Sequence, residues 1–156
     1  MSIYTYLKHD HKEVKDIIQQ IEDLKSSDTE QRDELFNKLK TKVKVHSDAE
    51  DKIFYKPLSK DKETKDEIPH AREEHAEVEE MLDRLSDTSL RGAAWNQLFK
   101  HMSQALLHHI EEEENEIFPD ARKTLSTAEA NEMESAMKAE KKKVKDHLNI
   151  ELRGEE

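Results

Sequence analysis

The sequence contains no cysteine, which excludes disulfide bonds, thiolate metal sites and a cysteine nucleophile. Its 156 residues include only two glycines and three prolines, too few for the many tight turns of a strand-rich fold. No apolar run approaches the roughly 20 residues of a membrane-spanning helix, and the N-terminus has no signal-peptide character. We therefore expect a small helical protein that is cytoplasmic and makes no membrane contact.

Charged residues dominate what is present, and the balance is acidic. Asp, Glu, Lys and Arg make up 40% of the chain, and the formal net charge at pH 7 is −11. Nucleic acids are bound through clustered lysine and arginine, so this balance argues against a nucleic-acid partner. Because aromatic residues are only 5% of the chain, we expect narrow apolar stripes on helices that are otherwise solvated.

Apolar residues recur at helical spacing in four long segments and, more sparsely, in a fifth. The expected helices cover about 3–25, 28–55, 69–85, 92–118 and 127–152. Capping boxes at Ser27-x-x-Glu30 and Ser126-x-x-Glu129 mark two of the starts, and prolines mark the ends of the second and fourth helices. This pattern predicts an all-α fold, an up-down-up-down four-helix bundle with an additional C-terminal helix.

The fifth segment differs from the other four in the spacing of its apolar residues. Its inner stripe is sparse and consists of Met133, Met137, Val144 and Leu148. Three consecutive lysines, residues 141–143, are interpreted as a solvated run. We therefore divide the chain into a four-helix bundle of residues 1–122 and a C-terminal helical extension of residues 123–156.

The sequence pattern of one helical hairpin is repeated in this chain. The stripe of Phe36, Leu39, Val43, His46 and Glu50 repeats, at a constant offset, as Phe99, Met102, Leu106, His109 and Glu113. A second match aligns His11 with His75, because each follows an acidic residue and precedes a Glu-Val pair at the same distance. Self-similarity at a fixed offset rarely arises by chance, so the two hairpins are expected to place equivalent residues in the core.

Each hairpin carries two histidines and one glutamate on its core-facing stripe. In the two His-x-x-x-Glu pairs, the residues are four apart and so lie on one helix face. Burying such groups unpaired is costly, and bound metal would offset that cost. Nitrogen and oxygen donors suit Fe, Zn, Mn or Cu, and six ligands suit two ions that share the glutamates. The predicted metal ligands are His11, His46, Glu50, His75, His109 and Glu113.

The helical register separates these residues from neighbours of the same type. Within the acidic run of residues 111–114, only Glu113 falls on the stripe. The remaining members of the run are expected at the surface. The same applies to His101, His108 and His147, which fall off the stripes.

At these residues the chain resembles the haemerythrin-like family, the bundle proteins called HHE cation-binding domains. The matching pieces, within about residues 3–122, are Asp10-His11, His46 to Asp51 with Phe54-Tyr55 and Pro57, Glu74-His75, and His109 to Glu114 with Ile117-Phe118 and Pro119. The resemblance implies two non-haem iron ions, oxo- or hydroxo-bridged and sharing carboxylates, although other divalent transition metals can bind such ligands. It also implies dioxygen, nitric oxide or peroxide as the small ligand.

The chain departs from the oxygen-carrying haemerythrins, which have His-x-x-x-His on the third helix. Here the residue four before His75 is Ala71, and His70 is five away, roughly 140° around an ideal helix. His70 would reach the metal only through a distorted first turn. Tyr55, five residues after Glu50, is either a phenolate ligand or a packing aromatic. Both are kept as secondary candidate ligands.

Three roles fit the same ligands. The centre could bind dioxygen, nitric oxide or related small oxidants as a carrier, scavenger or sensor; it could be an oxidoreductase acting on peroxide or dioxygen; or it could be a labile iron store or donor. We expect a metal- and small-ligand-binding protein rather than a dedicated enzyme, and we assign no catalytic residue. The ferritin-like alternative requires Glu-x-x-His on two helices, and Glu67-x-x-His70, which spans Pro69, is its only match.

Overall fold

A computed structural model describes residues 2–152, with side chains through residue 149, and this part of the chain is helical without any strand. Its helices are α1 (Ile3–Glu22), α2 (Thr29–Glu50), α3 (Lys56–Leu58), α4 (Ile68–Leu85), α5 (Gly92–Glu112), α6 (Phe118–Arg122) and α7 (Thr127–Leu152). Two π-helical turns, Asp51–Tyr55 and Glu113–Ile117, join α2 to α3 and α5 to α6. None of the described helices has the length and apolar surface that crossing a bilayer requires.

The helices form a bundle of two hairpins. Helix α1 packs against α2, and α4 packs against α5, while contacts of α1 with α5 and of α2 with α4 join the hairpins. Each of these four helices therefore has two neighbours, as in an up-down-up-down bundle. Helix α7 lies against α1 and α2. The predicted fold class, a helical bundle with an additional C-terminal helix, is confirmed.

Pro57 and Pro119 do not end their helices, contrary to the sequence-based expectation. Each proline follows a π-helical turn, and in the first of these the amide of Lys56 donates to the carbonyl of Asp51. A proline ring crowds the carbonyl four residues back and supplies no amide hydrogen. The wider π turn accommodates this defect, so the chain continues helically into α3 and α6.

The two capping boxes have different outcomes. At the start of α7, the Ser126 amide donates to the Glu129 carboxylate at 2.9 Å, and the Glu129 amide donates to Ser126 Oγ at 3.1 Å. This reciprocal pair confirms the second box. The first box was wrong, because α2 begins after Asp28, whose side chain makes no capping bond and instead accepts from the Lys25 amide at 3.1 Å.

A polar layer separates two apolar clusters inside the bundle. One cluster includes Val14, Val78 and Leu106, and the other, at the opposite end, includes Phe54 and Ile117. The predicted histidines and glutamates fall between these clusters along every helix of the bundle. The apolar clusters bring the four helices together, and the polar layer is buried as a result.

Helix α7 is anchored to the bundle by both apolar and polar contacts. Met137 is completely buried, and Ala130 is 4% exposed. The ammonium group of Lys141 donates to the carboxylate of Asp10 on α1. The expectation of a solvated lysine run is therefore wrong for Lys141, although Lys142 and Lys143 are exposed. The division of the chain near residue 122 stays a prediction.

Candidate metal centre

The six predicted ligands meet in one buried layer between the apolar clusters. Glu50 and Glu113 are completely buried, and His11 and His109 are each 3% exposed. Their donor atoms, with those of the other two histidines, form two groups in which all atoms lie within 4.8 Å of one another. The groups are His11, His46, Glu50 and Glu113, and Glu50, His75 and His109. Each group contains both histidines of one hairpin, and Glu50 belongs to both groups.

The two glutamates lie between the hairpins. Oε1 of Glu50 is 3.4 Å from Nε2 of His46 and 3.2 Å from Nε2 of His75. Glu113 mirrors this arrangement, with one oxygen 3.1 Å from His11 Nε2 and the other 3.8 Å from His109 Nε2. Each carboxylate thus faces one imidazole of each hairpin, an arrangement that would allow it to bridge two ions.

The hydrogen bonding of this layer fits a metal cofactor. Both carboxylate oxygens of Glu50 and Oε1 of Glu113 are buried and accept no hydrogen bond of normal geometry. Unpaired buried carboxylate oxygens are strongly unfavourable. Cations would satisfy these oxygens, and the imidazole Nε2 atoms facing them are the donors that divalent transition metals prefer.

Three further carboxylates, which are not among the predicted ligands, contact the Nδ1 atoms of three of the histidines. Nδ1 of His46 lies 2.9 Å from Asp10, Nδ1 of His109 lies 2.8 Å from Glu74, and Nδ1 of His11 lies 2.6 Å from Glu114. Such contacts orient a ligating imidazole and direct its other nitrogen towards the metal. The sequence pattern assigns no role to Asp10 or Glu74 and predicts Glu114 at the surface. The signal for the first two was present, since each immediately precedes a repeated histidine.

Neighbouring carboxylates raise the pKa of two of the predicted ligand histidines. Burial alone would lower the pKa of His46, but the charges of Glu50 and Asp10 raise it to about 10. The pKa of His109 is also raised, because its hydrogen bond to Glu74 and the charge of Glu113 oppose the effect of burial. Metal binding requires neutral imidazole and would displace the protons that these raised pKa values favour.

Tyr55 lies at the edge of the layer as a hydrogen-bond donor. Its side chain is completely buried, and its hydroxyl donates to Glu113 and lies 3.3 Å from Nε2 of His109. Burial, together with the charges of Glu113 and Glu50, raises the pKa of Tyr55 well above 10. This environment favours the neutral phenol over the phenolate that a metal ligand would supply.

His70 lies outside the buried layer. Its side chain is 62% exposed, and its Nε2 is 3.3 Å from Glu74 and 3.4 Å from Glu112. Helix α4 is regular from its first turn, so the five-residue spacing from His75 directs the two side chains differently. His108 is also exposed, as predicted from the register, whereas its neighbour His109 is buried.

A small cavity adjoins the layer on the side of the first apolar cluster. Its volume is about 20 Å³, which accommodates a single water-sized molecule. All four predicted histidine ligands line it. The remaining lining residues are Val14, Val43, Ser47, Val78, Leu106 and Ile110. Apart from the four histidines and Ser47, the lining of the cavity is therefore apolar.

Comparison with known proteins agrees with this geometry. A DNA nickase of Nostoc sp. is 20% identical over 154 residues, which are 99% of this chain but 43% of that relative. The chain thus spans less than half the length of that curated relative. No solved structure matches the chain. The model of the hemerythrin HHE cation binding domain matches residues 2–121, and the chain belongs to this family of cation-binding domains.

Proposed function

We propose that this protein is a non-haem di-iron protein that binds dioxygen, nitric oxide or a related small oxidant as a carrier, scavenger or sensor. The observation that carries the proposal is the buried layer of four histidines and two glutamates beside a cavity of about 20 Å³. The layer offers ligands for two ions, and the adjoining cavity accommodates a single water-sized molecule.

The donor set is compatible with iron. Mixed imidazole and carboxylate ligands suit iron, zinc, manganese and copper, but do not suit magnesium or calcium. Family membership points to a cation, and the two bridging glutamates suit a pair of ions. When bound, iron would supply open coordination positions and reversible redox chemistry to a small ligand in the cavity.

The protein's own residues would restrict and orient that chemistry. Asp10, Glu74 and Glu114 hold three of the imidazoles through Nδ1. The apolar lining of the cavity limits access to small, weakly hydrated molecules. Tyr55 holds Glu113 by a hydrogen bond. These features describe a rigid binding site, and we therefore place ligand binding ahead of turnover.

Anaerobic reconstitution with ferrous iron tests the proposal and separates its alternatives. We expect about two ions per chain, followed by a new and persistent absorption spectrum when dioxygen or nitric oxide is added. Steady consumption of peroxide would indicate an oxidoreductase, and rapid loss of iron to a chelator would indicate a store or donor. A saturating content of one ion per chain would contradict the dinuclear centre.

DNA nicking is a second candidate function, and the similarity to the Nostoc nickase favours it. That similarity extends over α7, beyond the part of the chain that the family model matches. Pairs of metal ions also serve phosphodiester hydrolysis. The net charge of −11 opposes contact with DNA, so the absence of a nucleic-acid partner remains our prediction. Conversion of supercoiled plasmid to open circles by wild type, but not by His109→Ala, would overturn that prediction.

A further inference from the structure

Two further His-x-x-x-Glu pairs lie on the outer surface of the second hairpin. His70 and Glu74 are four apart on α4, and His108 and Glu112 are four apart on α5. The helices are neighbours, so the two pairs face each other across the helix interface. The surface cluster defined by these four residues repeats the ligand spacing of the buried layer but belongs to neither of its groups.

Donor atoms of His70, Glu74 and Glu112 lie within 4.8 Å of one another, close enough to hold one ion, and His108 lies beside Glu112. Nε2 of His70 lies 3.3 Å from Oε2 of Glu74 and 3.4 Å from Oε2 of Glu112. Nε2 of His108 lies 2.9 Å from Oε1 of Glu112 and 3.9 Å from Oε2 of Glu74. In a tetrahedral zinc site with bonds of about 2.1 Å, neighbouring ligand atoms are roughly 3.4 Å apart.

We propose that the surface cluster is a third metal site, which binds one divalent transition-metal ion through His70, Glu74 and Glu112, with the neighbouring His108 as a fourth donor. This donor set suits zinc, cobalt, nickel or ferrous iron, and not magnesium or calcium. The histidine side chains are 62% and 63% exposed, so an ion reaches the cluster directly from solvent.

The surroundings of the surface cluster are rich in carboxyl groups. A neighbouring cavity of about 90 Å³ is lined by Glu67 and Glu116, together with His70, Glu74 and Glu112. The exposed pair of His9 and Glu13 on α1 provides the contrast. Those two residues also have the four-residue spacing, but Glu13 is bound by Lys42 at 3.0 Å. That lysine already supplies the positive charge, and His9 and Glu13 are not part of any group of three or more metal donors among the described residues.

Glu74 connects the surface cluster to the buried layer. Its Oε2 faces the surface histidines, while its Oε1 lies 2.8 Å from Nδ1 of His109. An ion bound at the surface site would therefore withdraw negative charge from Glu74. Glu74 is the carboxylate that positions the proposed core ligand His109. This coupling depends on the proposed function, whereas binding at the surface site does not. Glu74 is unsuitable for testing the surface site, because its substitution would disturb both sites.

Zinc binding by the full chain tests the proposal. The test variant is His70→Ala with His108→Ala, and the matched control is His9→Ala with His101→Ala, which also removes two exposed imidazoles. Equilibrium dialysis against zinc should show about one ion per chain fewer in the test variant than in the control. Crystals soaked in zinc should show anomalous scattering between α4 and α5 in the control and none there in the test variant.

Equal zinc content in the test and control variants would overturn the surface site. The same comparison is repeated in protein that also carries Glu50→Ala and Glu113→Ala, which removes the proposed bridging ligands. The difference of about one ion should persist in that background. If the core substitutions alone removed no zinc, the core proposal would fail, and the comparison of test and control variants would still decide the surface site.

Discussion

The two hairpins carry the same predicted ligands but differ in what surrounds them. In the first hairpin, His46 bonds to Asp10, which also accepts from Lys141 of α7. In the second, the equivalent His109 bonds to Glu74, which reaches the solvent-facing cluster on the opposite side. The first pair is thus covered by helix α7 and the partly buried side chain of Lys141, while the second borders a cluster that is open to solvent.

The aromatic residues above the layer show the same asymmetry. Phe118 stacks on His11, with ring centroids 6.2 Å apart and planes inclined by 7°. Its counterpart in the repeat, Tyr55, stacks on His75, with values of 5.2 Å and 25°. The ring contact is conserved between the halves, but only Tyr55 brings a hydroxyl, which it donates to Glu113.

A third difference between the halves lies in the residue directly after each of the two buried glutamates. Glu114, directly after Glu113, bonds to Nδ1 of His11 at 2.6 Å. The equivalent residue Asp51 is one methylene shorter and is bound by Arg72 at 2.8 Å. Among the described residues, no carboxylate therefore holds Nδ1 of His75 in this way. The two halves should consequently bind their ions with different affinities, although the predicted ligands are equivalent.

The largest effect is expected from removing the groups that join the halves. Ferrous iron at ~100 times its dissociation constant stabilises a folded protein by about 2.7 kcal/mol for one site, and each kcal/mol raises the melting midpoint of such a chain by roughly 2–4 °C. Iron should therefore raise the midpoint by roughly 5–11 °C in wild type. Glu50→Ala with Glu113→Ala should abolish most of that rise in anaerobic melts. An equal gain in both proteins would show that iron binds outside the layer.

The second prediction compares two neighbouring histidines, one of which is buried and the other exposed. His109 is 3% exposed, whereas the side chain of His108 is 63% exposed. His109→Ala should remove at least the iron of its own half, because it deletes a ligand. His108→Ala should retain the spectrum of the iron centre. The measurement is the absorption spectrum of the iron centre after anaerobic reconstitution, and equal loss of that spectrum in both variants would contradict the assigned register.

The third prediction tests the hydroxyl that distinguishes the halves. Tyr55→Phe makes this position equivalent to Phe118 and leaves an oxygen of Glu113 without its donor. Losing the partner of a buried polar group costs about 1–3 kcal/mol, so the metal-free protein should unfold at lower denaturant concentration. Tyr4→Phe is the matched control, because the buried Tyr4 hydroxyl has no hydrogen-bond partner. Equal stability of the two variants would show that the Tyr55 hydroxyl does not contribute to the difference between the two halves.

The smallest effect concerns the contact of α7 with the first half. Burial would raise the pKa of Asp10, but His46 and Lys141 lower it to about 2, below the ordinary value of about 3.9. Asp10 therefore stabilises the fold above about pH 4, and this contribution is lost as the pH falls towards 2. Lys141→Met should move acid unfolding of the metal-free protein to higher pH. Lys142→Met is the exposed control, and an identical acid midpoint in both variants would contradict the role of Lys141.

Much of the bundle was predictable because the constraints are local. The 3.6-residue period assigned the helices, and the repeated His-x-x-x-Glu spacing selected His109 over His108 for the core. Helix ends were less predictable. The prolines at 57 and 119 were expected to stop the helices, but a π-helical turn before each allows the helix to continue.

The sequence alone determined the helical class and the two-fold repeat, and it predicted the six histidines and glutamates that meet in one layer, since all of these depend on spacing along one helix. Only the tertiary structure decided which atoms meet across helices. It placed Glu114 on His11 and Lys141 on Asp10. It also placed His70 opposite Glu112 rather than in the buried layer. Contacts between distant segments depend on how helices are rotated and stacked when their apolar faces pack, and that arrangement has no signature in the spacing of any single helix.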